Sequence, residues 1–167
     1  MKKIIVAFAV AFGLHLSAQA GFAEGASAYN ARNYALALKE ISPLARAGNA
    51  DAQHLLGLMY YTGNSVPQDQ KHAVTWFRRA AEQGHAEAQH ALGLMYRYHQ
   101  AGMPQDMVLA YMLWNLAAAG GNRNAVDQRA AISRQMTQDQ IEEAQALSRT
   151  WRPGTPLPTA SRTGNGS

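Results

Sequence analysis

The sequence contains no cysteine in 167 residues, and charged side chains make up only 16% of it. Without cysteine the chain cannot form disulfides, use a thiol nucleophile or build the common cysteine-rich zinc sites. Its stability must therefore come from a packed core. The roughly 130 residues between the N-terminal segment and the C-terminal tail described below are enough for one domain.

The sequence also lacks a basic cluster, although its formal net charge is +4. It has 15 Lys and Arg residues against 11 Asp and Glu, and removal of Lys2 and Lys3 with the N-terminal segment leaves 13 against 11. Arg78 and Arg79 are the only adjacent basic pair after that segment. A charge this small and dispersed gives no electrostatic footprint for nucleic acid, so we expect no nucleic-acid partner.

The first twenty residues, MKKIIVAFAVAFGLHLSAQA, have the parts of a cleavable secretory signal. Two lysines are followed by an apolar run from Ile4 to Leu16, and Ala18 and Ala20 are the small residues that a signal peptidase reads. The apolar run is shorter than the roughly 20 residues of a membrane-spanning helix. The pattern predicts a signal peptide at residues 1–20, no stable membrane insertion after cleavage near Gly21, and a periplasmic or secreted protein.

A nine-residue phrase occurs twice: AQHLLGLMY at residues 52–60 returns as AQHALGLMY at residues 88–96, which is 36 positions later. Such a period is typical of helical repeat proteins. In the first copy, five apolar residues have the i, i+3, i+4, i+7, i+8 spacing of an amphipathic helix: Ala52, Leu55, Leu56, Met59 and Tyr60. The same spacing recurs in the second copy, residues 88–96, and in residues 73–81 and 110–118. The pattern predicts four helices, and no stretch alternates long enough to predict a strand.

Polar residues and glycines mark the ends of these predicted helices. Asp69 and Asp106 stand where N-caps are expected, and Gly84 and Gly121 follow the last apolar residues, where a left-handed C-terminal residue suits glycine.

Two other glycines, Gly57 and Gly93, lie inside predicted helices. Each costs about 1 kcal/mol relative to alanine in that position. We interpret them as points where a neighbouring helix comes close.

The chain on either side of the two clear repeats, residues 51–86 and 87–123, divides into three parts. Residues 22–50 carry a degenerate repeat in which Asn33 is the expected N-cap and Pro43 interrupts the second helix. Residues 124–152 are predicted to form a helical C-terminal cap, with a capping box from Thr137 to Gln140. Residues 153–167, PGTPLPTASRTGNGS, are rich in Pro, Gly, Ser and Thr, which predicts a disordered tail.

One spacing runs in full from Ala52 to Gly84: A-x-x-x-L-G-x-x-Y-x-x-G-x-x-V-x-x-D-x-x-x-A-x-x-W-x-x-x-A-A-x-x-G. It resembles the Sel-one-like repeat, a relative of the tetratricopeptide repeat, and the resemblance covers about residues 24–152. It implies an all-α fold, a short right-handed α-solenoid of antiparallel helix pairs over residues 21–152. Ser65 stands where the family has a second loop glycine, and His99 of the second copy stands where the first copy has Gly63. These differences predict loops of different shape.

The resemblance further implies a non-catalytic scaffold that binds proteins or peptides, in bacteria often after export. His54 and His90 share one repeat position, and packed helices lie about 8–10 Å apart, so we expect the two rings to lie along one face. The candidate partner-binding residues on that face are His54, Leu58, Tyr61, His90, Leu94 and Arg97. These side chains either fill the seam between repeats or form a peptide-binding groove. Within the repeated phrase, Gln53 also remains free to carry specificity.

The sequence shows no recognisable catalytic or metal-binding pattern. It has no G-x-S-x-G elbow and no glycine-rich phosphate loop. Glu142 and Glu143 are adjacent, so a helix points them in different directions, and we expect both to be solvated. His85 and His90 are five positions apart, which also separates their rings. We predict no metal site and no cofactor.

Together these patterns predict a non-enzymatic protein-interaction module of the bacterial cell envelope. The alternatives are an envelope enzyme or enzyme subunit, such as a hydrolase, and a secreted effector on the same scaffold. About three repeats are close to the minimum for a stable solenoid, so self-association as a homo-oligomer is a further expectation.

Overall fold

The computed structural model describes residues 19–163, and all regular structure in that range is helical. The helices in chain order are α1 (residues 19–30), α2 (Tyr34–Arg46), α3 (Ala50–Thr62), α4 (Gln70–Glu82), α5 (Ala86–Arg97), a short 3-10 helix (Gln100–Gly102), α6 (Met107–Ala119), α7 (Arg123–Ser133) and α8 (Gln138–Thr150). The all-α prediction is confirmed. The predicted signal peptide lies outside the described residues except for residues 19 and 20. None of the described helices is long and apolar enough to cross a membrane.

Consecutive helices from α2 to α7 pack against one another, and α8 packs on α6. The core forms two clusters, one around Ile41 and Met59 in α1 to α3, the other around Phe77 and Trp114 in α4 to α8. Leu58 of α3 packs against both clusters, so the apolar core continues along the stack. This is the short helical solenoid that the repeats predict.

The two helical glycines are contact points for aromatic rings of the following helix. A Cβ atom at Gly57 would stand 2.7 Å from Cδ1 of Phe77, and one at Gly93 would stand 2.7 Å from Cδ1 of Trp114. Phe77 and Trp114 are almost fully buried. The predicted close approach is confirmed, and a buried ring from the second helix of each repeat is what comes close.

The capping residues also follow the repeat. The predicted N-caps each accept a hydrogen bond from the backbone N–H three residues later: Asn33 from Leu36, Asp69 from His72, and Asp106 from Leu109. A second set, not predicted, caps α3, α5 and α7: Asn49, His85 and Asn122. Gly84 and Gly121 have φ values of 92° and 91°, as predicted. Each helix of the repeats therefore begins at a defined residue.

The glutamine of the repeated phrase serves the fold. Gln53 and Gln89 are buried, and each side-chain amide donates to a backbone carbonyl eight residues earlier, on Ala45 and Ala81, at 3.1 Å. These carbonyls lie in the last turns of α2 and α4, where no N–H four residues later is available, and each also accepts from the glycine after the helix, Gly48 or Gly84. The expectation that Gln53 is free to carry specificity is therefore wrong.

The loops after α3 and α5 differ in shape, as predicted, yet they share two backbone conformations. Gly63 and His99 are both left-handed, with φ of 78° and 54°. Ser65 and Ala101, two positions later, have φ of 59° and 58°. The second loop contains the 3-10 helix, which accommodates its additional residue.

The C-terminal segment packs onto the repeats, so the predicted disordered tail is wrong for residues 153–163; residues 164–167 lie outside the described range. The side chain of Leu157 is buried, with the residue 4% exposed. It lies in a crevice formed by α4, α5 and α6, which is lined by Arg78, Leu92, Tyr96, Leu109, Met112 and Leu113. The composition of the tail predicts disorder because it offers almost no apolar side chain, but its single leucine, Leu157, is buried in this crevice.

Two buried carboxylates hold the end of the segment. Asp106, besides capping α6, accepts hydrogen bonds from the backbone N–H and the hydroxyl of Ser161 at 3.0 and 2.8 Å. Glu143 accepts from the backbone N–H groups of Arg162 and Thr163 at 2.7 and 3.0 Å. Burial opposes ionisation of Glu143, but the hydrogen bonds from Thr163 and Arg162 outweigh it and lower its pKa. The expectation that Glu143 is solvated is therefore wrong.

Replacement of Gly93 by alanine should destabilise the protein although alanine favours helices. The added methyl group collides with the Trp114 indole, and overpacking of this kind costs about 1–3 kcal/mol. Thermal and urea unfolding of Gly93→Ala measure the loss. The control is Gly21→Ala, whose methyl group would meet Leu44 at an ordinary 3.6 Å. A Gly93→Ala protein as stable as the control would contradict the close packing.

Replacement of Leu157 by alanine should lower the free energy of unfolding by about 2–4 kcal/mol, because it empties the crevice that Leu157 fills. Urea unfolding of the full chain measures the change. Leu157→Met keeps the volume and should cost less than about 1.5 kcal/mol. Thr159→Ala changes an exposed residue of the same segment and should be nearly neutral. Equal stability of Leu157→Ala and Thr159→Ala would show that the segment does not hold the fold.

Candidate functional site

Two adjoining hollows lie along the face formed by α1, α3 and α5, and we call them together the groove. The first hollow, about 450 Å³, is lined by residues of α1 and α3 together with His85 and Glu87. The second, about 340 Å³, is lined mainly by α3 and α5 and reaches the start of α7. His54, Leu58 and Glu87 line both hollows, so the groove is one continuous surface.

Five of the six candidate partner-binding residues line the second hollow: His54, Leu58, Tyr61, His90 and Leu94. All five are half-buried. The sixth, Arg97, lies outside the lining, because its guanidinium donates to Oε1 of Gln135 at 2.6 Å and lies 5.5 Å from the ring of Tyr98. The structure thus brings five of the predicted residues together. That they bind a partner stays a prediction.

The two interpretations of these residues, seam and groove, both describe part of the geometry. Leu58 packs against both core clusters and also lines both hollows. The Tyr61 hydroxyl donates to Oε1 of Gln100 at 3.3 Å and so ties the loop after α5 to α3. These side chains therefore join neighbouring repeats with one side and face the groove with the other.

His54 is a neutral histidine at neutral pH. Its ring stacks on that of His85, with centroids 4.7 Å apart, and lies 5.7 Å from the ring of Phe77. Burial, and then the neighbouring His85, lower the pKa of His54 to about 4 against the opposing effect of Glu87 and Asp51. His54 therefore offers an aromatic surface to the groove and no positive charge.

His85 contacts the backbone of α5 and a carboxylate of α3. Nδ1 accepts from the backbone N–H of Ala88 at 3.2 Å and thereby caps α5. Nε2 lies 3.2 Å from Oδ1 of Asp51. Both ring nitrogens therefore have polar neighbours within the fold.

His90 lines the second hollow and has one buried ring nitrogen without a partner among the described residues. Its Nε2 is buried and makes no hydrogen bond to any of residues 19–163. Burial lowers the pKa of His90, with Glu87 opposing.

The chemistry of the lining favours binding over catalysis. Within the described chain, no Ser, Thr, Cys or Lys lines either hollow, so the usual side-chain nucleophiles are missing beside the His85–Asp51 pair. No three His, Asp or Glu side chains among residues 19–163 are grouped to hold a metal ion. What the groove offers is apolar and aromatic surface, with amide groups at its edge from Gln100, Asn122 and Asn124.

Sequence reasoning missed several residues of the groove. Asp51 and Glu87 are 36 positions apart, and each precedes a groove histidine by three positions. They occupy the same repeat position, so an alignment of the two repeats could have identified them. Phe22 and Tyr29 of α1 line the first hollow, but the degenerate first repeat carries no matching motif that identifies them.

Comparison with known families agrees with this architecture. The Sel1 repeat family model matches residues 50–85 and 86–122, which are the helix pairs α3–α4 and α5–α6 with their loops. The chain is a Sel1-like repeat protein. Proteins built from Sel1 repeats are in general scaffolds for protein interactions and not enzymes.

Solved structures show the same fold in larger Sel1-like proteins. A protective antigen of uropathogenic Escherichia coli strains, with an SLR fold, has a TM-score of 0.75 and 29% identity over 80% of this chain and 29% of its own. A Sel1 repeat protein from Oxalobacter formigenes has a TM-score of 0.62 and 30% identity over 66% of this chain and 45% of its own. This Sel1-like protein thus spans less than half of either relative. A comparison with curated proteins gave no match.

The pKa of His54 predicts a loss of stability in mild acid. The unfolded chain takes up the proton near pH 6.5 and the folded protein near pH 4, so the unfolded state binds more protons between these values. The free energy of unfolding should therefore be highest above pH 6.5 and fall towards pH 4. Thermal unfolding from pH 7.5 to 4 should show a smaller decrease of Tm for His54→Gln than for the wild type.

Some of this pH dependence should remain in His54→Gln, because burial also lowers the pKa of His90. The control is His99→Asn. His99 is exposed, and asparagine tolerates the left-handed backbone conformation of this residue. It should keep the wild-type pH dependence. Equal pH dependence of His54→Gln and the wild type would mean that His54 is not kept neutral by burial.

Proposed function

We propose that this protein is a non-catalytic scaffold of the bacterial cell envelope and that it binds a segment of another protein in the groove. The observation that carries the proposal is the convergence of His54, Leu58, Tyr61, His90 and Leu94, spaced by the repeat, on one open hollow that continues into a second. Half-buried aliphatic and aromatic side chains in a concave surface are typical anchors for a partner.

The form of the groove suits an extended or helical segment better than a small molecule. Each hollow is open to solvent, and the two are joined through the shared His54, Leu58 and Glu87. Their apolar walls come from neighbouring helices, while Tyr61, Asn122 and Asn124 supply hydrogen-bonding groups. A partner that spans both hollows would bury more apolar surface than either hollow offers alone.

The location is proposed from the first twenty residues, whose charged start, apolar run and small residues at positions 18 and 20 match a secretory signal. We place the protein in the periplasm or outside the cell. A hydrolytic function is disfavoured, because the groove lining offers no usual nucleophile.

Site-specific crosslinking in the native bacterium tests the proposal. A photoreactive benzoylphenylalanine in place of Ala91, which lines the second hollow, should form a covalent product with a discrete partner protein. Benzoylphenylalanine in place of Thr75 should not form this product. Thr75 is exposed on α4, two positions before Phe77, and so lies on the opposite side of that helix. In the Ala91 background, Leu58→Gln with Leu94→Gln should reduce the product at least about tenfold, because two apolar anchors are lost.

Val126→Gln, at an exposed valine outside the groove lining, should leave the product unchanged. Circular dichroism of each purified variant establishes that it is folded; if the double leucine variant unfolds, Leu58→Met with Leu94→Gln replaces it. Equal crosslinking from Ala91 and Thr75, or a persistent product in a folded leucine variant, would refute binding in the groove. Recovery of the chain in the cytoplasm with residues 1–20 attached would refute the proposed location.

A further inference from the structure

Every charged side chain that lines the groove is a carboxylate. Asp51 lines the first hollow and Glu87 lines both, and no Lys or Arg of the described chain lines either one. This is notable because the chain as a whole has a formal net charge of +4. The groove therefore has the opposite sign to the average of the protein.

The two carboxylates flank one imidazole. Oδ1 of Asp51 lies 3.2 Å from Nε2 of His85, and Oε2 of Glu87 lies 3.6 Å from Nδ1 of the same ring. Nδ1 of the ring also accepts the N–H of Ala88, and one imidazole can offset at most one of the two carboxylate charges. The stacked His54 is neutral at neutral pH. Asp51 and Glu87 thus form a negative ridge, centred on His85, where the two hollows meet.

Neither carboxylate has a Lys or Arg partner within the described chain. No Lys or Arg among residues 19–163 comes within 4.0 Å of Asp51 or Glu87, whose side chains are 61% and 59% exposed. Their charges are solvated, His85 is the one side chain of basic type within 4.0 Å of both in this range, and the low-dielectric walls beside them strengthen the attraction of a cation relative to a flat surface. The ridge is therefore suited to a positively charged group on a bound partner.

Apolar surface lies on both sides of this ridge. Phe22, Ala26 and Tyr29 of α1 line the first hollow. Leu58, Ala91 and Leu94 line the second, and Leu58 reaches both. Packed helices lie about 8–10 Å apart, and an extended chain advances about 3.3 Å per residue, so a segment of about five residues spans the two hollows.

We propose that the groove selects a partner segment with a Lys or Arg side chain over the ridge formed by Asp51 and Glu87, and with apolar side chains on either side of it. The apolar residues occupy the two hollows, and the cation lies between them. This inference rests on the proposed function and specifies the chemistry of the partner. The ridge carries specificity, and the hollows carry most of the affinity.

Selection from a random twelve-residue peptide display library tests the inference on the purified protein. The wild type should enrich peptides with Lys or Arg flanked by apolar residues. Synthetic fluorescent versions of the selected peptides are then titrated by anisotropy. Asp51→Asn with Glu87→Gln keeps the shapes of both side chains and removes only their charges. It should weaken binding about three- to tenfold, the size expected for partly exposed ion pairs.

High salt should reduce the difference between wild type and charge variant, because it screens exposed charges. The matched control is Asp139→Asn with Glu142→Gln, which removes two exposed carboxylates from α8, one of them in the first turn of the helix as Asp51 is in α3. It should bind like the wild type.

Each outcome decides between the two proposals. Peptides that need Leu58 and Leu94 but lack basic residues, or that bind the charge variant as well as the wild type, would overturn the ridge and leave the groove standing. Failure to select any peptide, or binding that is unchanged in the folded variant with Leu58→Gln and Leu94→Gln, would overturn the groove itself. Loss of affinity in both the charge variant and the α8 control would assign the effect to net charge and also overturn the ridge.

Discussion

The contact between a buried aromatic ring and a helical glycine sets the geometry of each repeat. Phe77 lies over Gly57 and Trp114 over Gly93, so the second helix of each pair comes closer to the first than any side chain at the glycine would permit. The same rings support the candidate site. Phe77 lies 5.7 Å from the ring of His54 and lines the second hollow, while the Trp114 indole donates to the carbonyl of His90 at 3.2 Å. The positions of both groove histidines thus depend on how closely the helices of their repeats pack.

Most polar groups near these contacts serve the fold, which limits what remains for function. The repeated glutamines donate to carbonyls at helix ends, and His85 caps α5 with one nitrogen while the other lies 3.2 Å from Asp51. Burial, and then the neighbouring His85, lower the pKa of His54 to about 4, so this ring carries no charge at neutral pH. What is left facing the groove is apolar and aromatic surface with two carboxylates that have no Lys or Arg partner within the described chain.

The sequence predicted the candidate site in part, and the exceptions have identifiable causes. Five of the six candidate partner-binding residues meet because the 36-residue period places equivalent side chains on neighbouring helices. Arg97 does not line the groove because its long side chain reaches Gln135, which is 38 positions away, and no local pattern specifies that contact. The first hollow was not predicted because α1 belongs to the degenerate repeat. The C-terminal segment was assigned to disorder because Leu157 is its single apolar anchor, and the crevice that receives it is built by three helices distant in the sequence.

The sequence by itself determined the helices, the caps of α2, α4 and α6, the repeat and the family, because each of these depends on spacing within a few turns of one chain segment. Asp69, Asp106 and the glycines at 57 and 93 have their roles wherever such helix pairs form. Only the tertiary structure decided that Glu143 is buried, that His54 is neutral and that Asp51 and Glu87 flank one ring. Each of these depends on the solvation and separation of groups on different elements, and such distances exist only once the repeats have packed.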